Sequence, residues 1–394
     1  MERSPGFVRG RPSSGRFSRR ATLRRFAGAL AATAPWSRTG SRVAAAHGDA
    51  TPTAASPPAA LSADDIDAFE GAVESAMRTF KINGAAVALV RGQRIALCRG
   101  FGTRNLRDKA PATERTRFRI GSNTKSMTSL LLATFVDRGA LGWDDRVVDR
   151  WPEFRAPSAD LTQQLRVRDL LGMASGIAET PTIRFAVTAG SASALDLFRS
   201  IAYLPAPAPP NAKYLYNNTL YSAAGYLAPI AQGAPPQDWE EAYATLMRQQ
   251  LFAPLGMADA AIADDPRPLG DDYAVGYSRD LFGRPSAASF VSVAGAAPSG
   301  AGVASAADMA RYLSLQIAGG VTPEGVRAVS AANLAETHRP GIDVPPDAIY
   351  ALPVGQFPDT VSLRFCMGWF EQIFTHGRRL YWFAGGIDGF TSLM

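Results

Sequence analysis

Phe118-Arg-Ile-Gly-Ser-Asn-Thr-Lys125 leads directly into Ser126-Met-Thr-Ser-Leu-Leu-Leu-Ala-Thr-Phe-Val-Asp-Arg138. Met127, Leu130, Leu131, Leu132, Phe135 and Val136 crowd this run with apolar side chains and Gly139 closes it, which predicts a helix over 122–138, apolar enough to be buried. Ser122 and Lys125 stand three residues apart at its mouth, a spacing that sets both side chains on one helix face. A serine there holds its Oγ in the positive end of the helix dipole, beside backbone N–H groups able to hold a developing oxyanion. A lysine partly buried beside it loses hydration, which favours the neutral amine and lets it help remove the hydroxyl proton. The chain has four lysines (81, 109, 125 and 213), and Lys125 alone has a serine three residues before it. The spacing by itself is a weak signal, and the competing reading is an N-cap serine followed by a surface lysine.

Outward from this helix, Ser62-Ala-Asp-Asp65 opens an amphipathic stretch with Ile66, Phe69, Val73, Met77 and Phe80 on one helical face, ending near Lys81. Apolar runs over 85–90 and 94–101, separated by Arg91-Gly92-Gln93, predict an antiparallel hairpin. Helical patterns follow over 167–173, 193–203, 220–231 and 238–252, joined by loops rich in Pro and Gly. Ser305-Ala-Ala-Asp308 is a capping-box pattern for a helix to Ile317, and strand-like runs return at 365–374 and 380–383. Strands at both chain ends with helices between predict an α+β fold: one antiparallel sheet built from both ends, flanked by helices, plus a helical lobe.

The charge balance argues against a nucleic-acid partner. Of the formal +6, residues 1–46 carry ten arginines against the single acid Glu2, leaving 31 basic and 34 acidic side chains in the rest. A body of that balance has no basic surplus for phosphates. The arginine-rich front, with Ser18-Arg19-Arg20-Ala-Thr-Leu-Arg24, a weakly apolar stretch over 26–36 and Ala44-Ala45-Ala46, resembles a twin-arginine export leader. Residues 1–46 are therefore expected to be an export signal, 47–61 a linker and 62–394 the functional domain, in an exported, periplasmic or secreted protein. An organellar transit peptide is the rival reading of the front. No apolar run reaches the roughly 18 to 20 residues of a membrane span. Cys98 and Cys366 imply no disulfide framework, and His47, His338 and His376 lack metal-ligand spacing, so neither metal nor cofactor is called for. His376, between two predicted strands, reads as a turn residue in preference to a triad base.

Several ordered segments resemble the serine penicillin-binding protein and class C β-lactamase-like hydrolase family. They are Phe118 to Lys125, Gly142-Trp-Asp-Asp-Arg-Val147, Trp151-Pro-Glu-Phe154, Val167-Arg-Asp-Leu-Leu-Gly-Met-Ala-Ser-Gly176 and Phe252-Ala-Pro-Leu-Gly-Met257. The resemblance covers about residues 65 to 394 and implies that Tyr216-Asn217-Asn218 stands where the family has Tyr-x-Asn. Tyr216 would then shuttle the proton from Ser122 to the leaving group, and Asn218 would hydrogen-bond Lys125 or the substrate. The family's Lys-Thr-Gly strand looks like Phe383-Ala384-Gly385 here, so Phe383 is expected to line the site without a cation, and Gly385 and Gly386 to border the oxyanion hole.

The resemblance implies an acyl-enzyme hydrolase of a small-molecule ester, amide or β-lactam. An esterase leads, a β-lactamase or D-Ala-D-Ala carboxypeptidase comes second, and an inactive relative binding cell-wall fragments or a protein partner is the alternative from another class. It also implies a further strand, strand and terminal helix, roughly 40 to 60 residues, after Met394, so an incomplete C-terminus is expected. The oligomeric state is not readable.

Overall fold

Ser62 Oγ accepts from Asp65 N at 3.1 Å and the Asp65 carboxylate accepts from Ser62 N at 3.1 Å, so a reciprocal capping box starts helix α1 (Ala63–Phe80) where the sequence predicts it. The computed structural model describes residues 61–188, 190, 192–345, 348 and 359–394. The expected export signal and nearly all of the expected linker lie outside the described residues. Val73 and Met77 of α1 pack on Phe101 of the hairpin formed by β1 (Gly84–Arg91) and β2 (Arg94–Gly102). Gly92, at φ 59°, turns it, and the register slips between Leu89 and Val90.

Strand β3 (Phe118–Arg119) leads into helix α2 (Thr124–Asp137), whose residues 124–135 are all buried. Its apolar side chains alternate with small polar ones that find partners inside the protein, Thr128 Oγ1 donating to Thr124 O at 3.1 Å and Ser129 Oγ bonding Tyr221 Oη at 2.6 Å, and helical neighbours surround it. They include α3 (Asn218–Ala231), the short helix Ala297–Gly300 and, less closely, α4 (Trp239–Met247). Trp151, Phe198 and Trp239 seal the helical lobe, with ring centroids 4.5 Å apart for Trp151–Phe198 and 5.0 Å for Phe198–Trp239. Strand β4 (Ala261–Ile262) is followed by a small hairpin of β5 (Tyr277–Arg279) and β6 (Pro285–Ala287). β7 (Gly302–Ala304) lies between β3 and β4 and pairs antiparallel with both, tying the start of α2 to distant chain. The capping box at Ser305 and Asp308 then starts α5 (Ala306–Ile317), which lies against β1 and β2, and α6 (Ala331–Thr337) packs on α2.

The C-terminal region supplies β8 (Ile342–Asp343), β9 (Thr360–Phe365), β10 (Phe370–Phe374) and β11 (Arg379–Trp382), paired in the order β11-β10-β9-β8, and the hairpin of β12 (Ala384–Ile387) with β13 (Phe390–Leu393). Mixed helices and antiparallel strands from both chain ends agree with the expected fold class. The pairing is more divided than one continuous sheet: among the described residues β1–β2, β8–β11 and β12–β13 form separate ladders.

Three local readings change. The run 365–374 is two strands, because Gly368 takes φ 82° and turns the chain back so closely that a Cβ there would lie 2.7 Å from Ser126 N. The β12–β13 hairpin was not expected, although Asp388-Gly389 is a hairpin-turn dipeptide and Gly389 adopts φ 77°. Helix α2 begins two residues later than predicted, preceded by a 3₁₀ turn at Gly121–Asn123.

Candidate active site

That 3₁₀ turn carries Ser122. With three residues per turn, positions i and i+3 come close to eclipsed, and Lys125 Nζ lies 3.1 Å from Ser122 Oγ. Gly121 makes the turn possible through its φ of 53°, a conformation few side-chain-bearing residues adopt. Thr124 Oγ1 donates to the Gly121 carbonyl at 2.7 Å and accepts from Gly302 N at 2.9 Å, clamping the turn to β7.

Tyr216 and Asn218 are placed by the start of α3. Asn217, 1% exposed, caps that helix: its Oδ1 accepts from Leu220 N at 2.9 Å and its Nδ2 donates to Ile177 O at 3.3 Å. With Asn217 fixed, the residues on either side reach the turn that carries Ser122. Tyr216 Oη lies 2.8 Å from Ser122 Oγ, and Lys125 Nζ donates to Asn218 Oδ1 at 2.9 Å. The Lys125 ammonium also sits 4.9 Å from the Tyr216 ring centroid.

Lys125 is 0% exposed, and Nζ donates at 2.7 Å to the carbonyl of Ser299. Burial pushes its pKa down to about 7, and the negative charge of Glu179 opposes that shift. Two of the amine's hydrogens are thus engaged by fixed acceptors, Asn218 Oδ1 and Ser299 O. The third direction points at Ser122 Oγ, so it is along this line that a proton can pass from the hydroxyl to the neutral amine. Tyr221, whose Oη donates to the Lys125 carbonyl at 2.8 Å and bonds Ser129 Oγ at 2.6 Å, locks α2 against α3 beneath the site.

The other side of Ser122 is bounded by β12. A Cβ at Gly121 would fall 2.9 Å from Gly386 N, and a Cβ at Gly385 would collide with the Ile120 carbonyl, so both glycines serve close backbone approach. Ser392 Oγ donates to Ile120 O at 2.6 Å and accepts from Asn123 Nδ2 at 3.0 Å, pinning β13 to the same turn. Gly386 is exposed, with open space where its side chain would be. Its N–H lies beside the turn that carries Ser122. Gly385, expected with Gly386 to border an oxyanion hole, acts as a spacer against Ile120.

Phe383 is a correction. Expected on the wall of the site, it is 1% exposed and packs among Phe365 and Phe370, with centroids 5.9 and 5.4 Å away. Its backbone pairs with Met394 in both directions at 3.0 Å, and its ring lies in the core. His376 sits exposed in the turn between β10 and β11, edge-on to Phe374. Two contributors were not foreseen: the Ser299 carbonyl, which has no side-chain signature, and Glu179, whose carboxylate accepts from Asn218 N at 2.9 Å.

The Beta-lactamase family model matches residues 69–394, and the chain belongs to that family. Among curated relatives, an unguisins hydrolase of Aspergillus violaceofuscus is 25% identical over 356 residues, covering 82% of this chain and 57% of that protein. Penicillin-binding protein 4 of Amycolatopsis lactamdurans is 29% identical over 220 residues, covering 55% of each. The chain thus spans little more than half the length of these relatives. The octameric penicillin-binding protein homologue from Pyrococcus abyssi superposes with a TM-score of 0.69 over 84% of this chain and 70% of that one, at 22% identity, a likeness of fold. Among the described residues, no helix is long and apolar enough to cross a membrane.

Proposed function

We propose that this protein is a serine hydrolase that works through an acyl-enzyme on Ser122, and that its preferred substrates are neutral carboxylic esters. The observation that carries the proposal is the triangle of Ser122 Oγ, Lys125 Nζ and Tyr216 Oη, with Nζ at 3.1 Å and Oη at 2.8 Å from the nucleophilic oxygen. Neutral Lys125 accepts the Ser122 proton as Oγ bonds to the substrate carbonyl carbon. The oxyanion is held by the N–H groups of Ser122 and Gly386. Collapse of the tetrahedral adduct breaks the ester C–O bond, and the leaving alkoxide takes a proton delivered through Tyr216. A water molecule then attacks the acyl-enzyme by the same steps in reverse order, with Lys125 and Tyr216 as the base system. No cofactor enters this scheme.

The preference for neutral esters rests on the strand position at Phe383, where the family resemblance implies a cation for a substrate carboxylate. A buried phenyl ring offers that carboxylate no partner, and an anion brought in without one is desolvated without compensation. Hydrolysis of β-lactams or D-Ala-D-Ala peptides is the second reading, favoured by the penicillin-binding protein relative. Steady-state turnover of a short-chain p-nitrophenyl ester beside that of a penicillin tests the order, and faster penicillin turnover reverses it. We also propose export on the strength of Arg19-Arg20, which an Arg19→Lys, Arg20→Lys double variant with unchanged export would refute.

A further inference from the structure

Glu179 lies in the loop that precedes the helix Pro181–Thr188, and its side chain is 0% exposed. Four groups that meet its carboxylate are all donors. Asn218 N at 2.9 Å and Thr219 N at 3.3 Å donate to Oε1, and Asn218 Nδ2 at 3.1 Å and Arg184 Nε at 2.9 Å donate to Oε2. Both backbone N–H groups belong to the first turn of α3, where a helix leaves its donors unsatisfied and favours negative charge. An ionised carboxylate can accept on both oxygens at once. Glutamine cannot, because its NH₂ end would face donors.

This arrangement decides which end of the Asn218 amide Lys125 meets. Glu179 engages Nδ2, so Oδ1 is left to face Lys125 Nζ. An amide turned over would point its N–H groups at the ammonium. We propose that Glu179 is the positioning residue of the site, acting through Asn218 on Lys125. The proposal rests on the serine-hydrolase function argued above. The ionisable groups facing Lys125 are Tyr216 and Tyr221, with ring centroids at 4.9 and 5.6 Å, and Glu179, itself paired with Arg184. The helix at Ala297–Gly300 contributes the uncharged Ser299 carbonyl. Glu179 is therefore the anion that stabilises the ammonium form, and its removal should ease deprotonation of Lys125.

The test uses the full chain with Glu179→Gln and Glu179→Asp, following the rate of Ser122 labelling by a fluorophosphonate across pH, ester kcat and KM, and thermal unfolding. Glu179→Gln should lose on the order of tenfold or more in kcat, with the acidic limb of the labelling profile moved down by about one pH unit. Glu179→Asp, which keeps the charge and shortens the reach, should lose rate with the limb in place. A Glu179→Gln protein whose limb stays put, or a Glu179→Asp protein with the full rate, overturns the proposal. A purely structural role would lower Tm and rate without moving the limb. Absence of any label on Ser122 in the unsubstituted protein removes the proposed function itself, whereas a labelled Ser122 indifferent to Glu179 removes only this role.

Discussion

Lys125 Nζ is held 2.7 Å from the carbonyl oxygen of Ser299, 174 residues away in sequence, by a helix start that β7 pairs into place. This contact and the one to Asn218 leave the third direction of the amine for Ser122, and from that geometry the expected behaviour of the three polar groups follows. Ser122→Ala should abolish acyl transfer. Lys125→Ala and Tyr216→Phe should each lose on the order of 10² or more in kcat/KM, the scale of general-base groups. His376→Ala, in an exposed turn, should leave ester hydrolysis unchanged. Activity retained in Ser122→Ala, or lost in His376→Ala, contradicts the assignment.

The pH dependence has a defined sign. Burial lowers the Lys125 pKa to about 7, so the reactive neutral amine is gained as pH rises through 7, and kcat/KM should fall about tenfold per pH unit on the acid side of that value. The same shift is linked to stability. The folded pKa lies below the unfolded value of 10.5, so between 7 and 10.5 the unfolded chain binds more protons and this group's contribution to stability rises with pH. Lys125→Met should therefore raise Tm most below pH 7, with the gain shrinking toward pH 10. A Tm difference that ignores pH counts against the buried, shifted lysine.

Adjacent glycines should respond differently to one methyl group. Gly385→Ala drives a Cβ into the Ile120 carbonyl, so β12 must move away from the Ser122 turn, and a loss on the order of 10² in kcat is expected as the Gly386 N–H leaves its proposed oxyanion position. Gly386→Ala meets nothing within 4 Å and should leave Tm unchanged, its methyl instead narrowing access for bulky acyl groups. Unfolding curves and kcat for acetyl and longer esters separate the two.

Part of the site could be read locally, since Ser122 and Lys125 are linked by helical spacing. Tyr216 and Asn218 followed from the family resemblance alone, and it is the fold that shows them flanking the Asn217 cap of α3. Glu179 could not be read this way: a carboxylate in a loop looks like any solvated acid until folding brings the first turn of α3 against it. Phe383 was misplaced because a motif position does not say which way a side chain points. The β12–β13 hairpin and the pairing of Phe383 with Met394 turn the ring into the aromatic cluster. The break at 366–369 was hidden by Cys366, Met367 and Trp369, which continue the apolar run on both sides of Gly368. The division of strands into separate ladders depends on long-range pairing that no local pattern encodes.

The most direct test of Ser122 as a nucleophile is peptide mass spectrometry after treating the full chain, and its Ser122→Ala variant beside it, with a fluorophosphonate at pH 8. The structure predicts one phosphonyl adduct per chain, on the peptide holding Ser122, and none in the variant. An unlabelled protein, or an adduct on another residue that persists in Ser122→Ala, would contradict it.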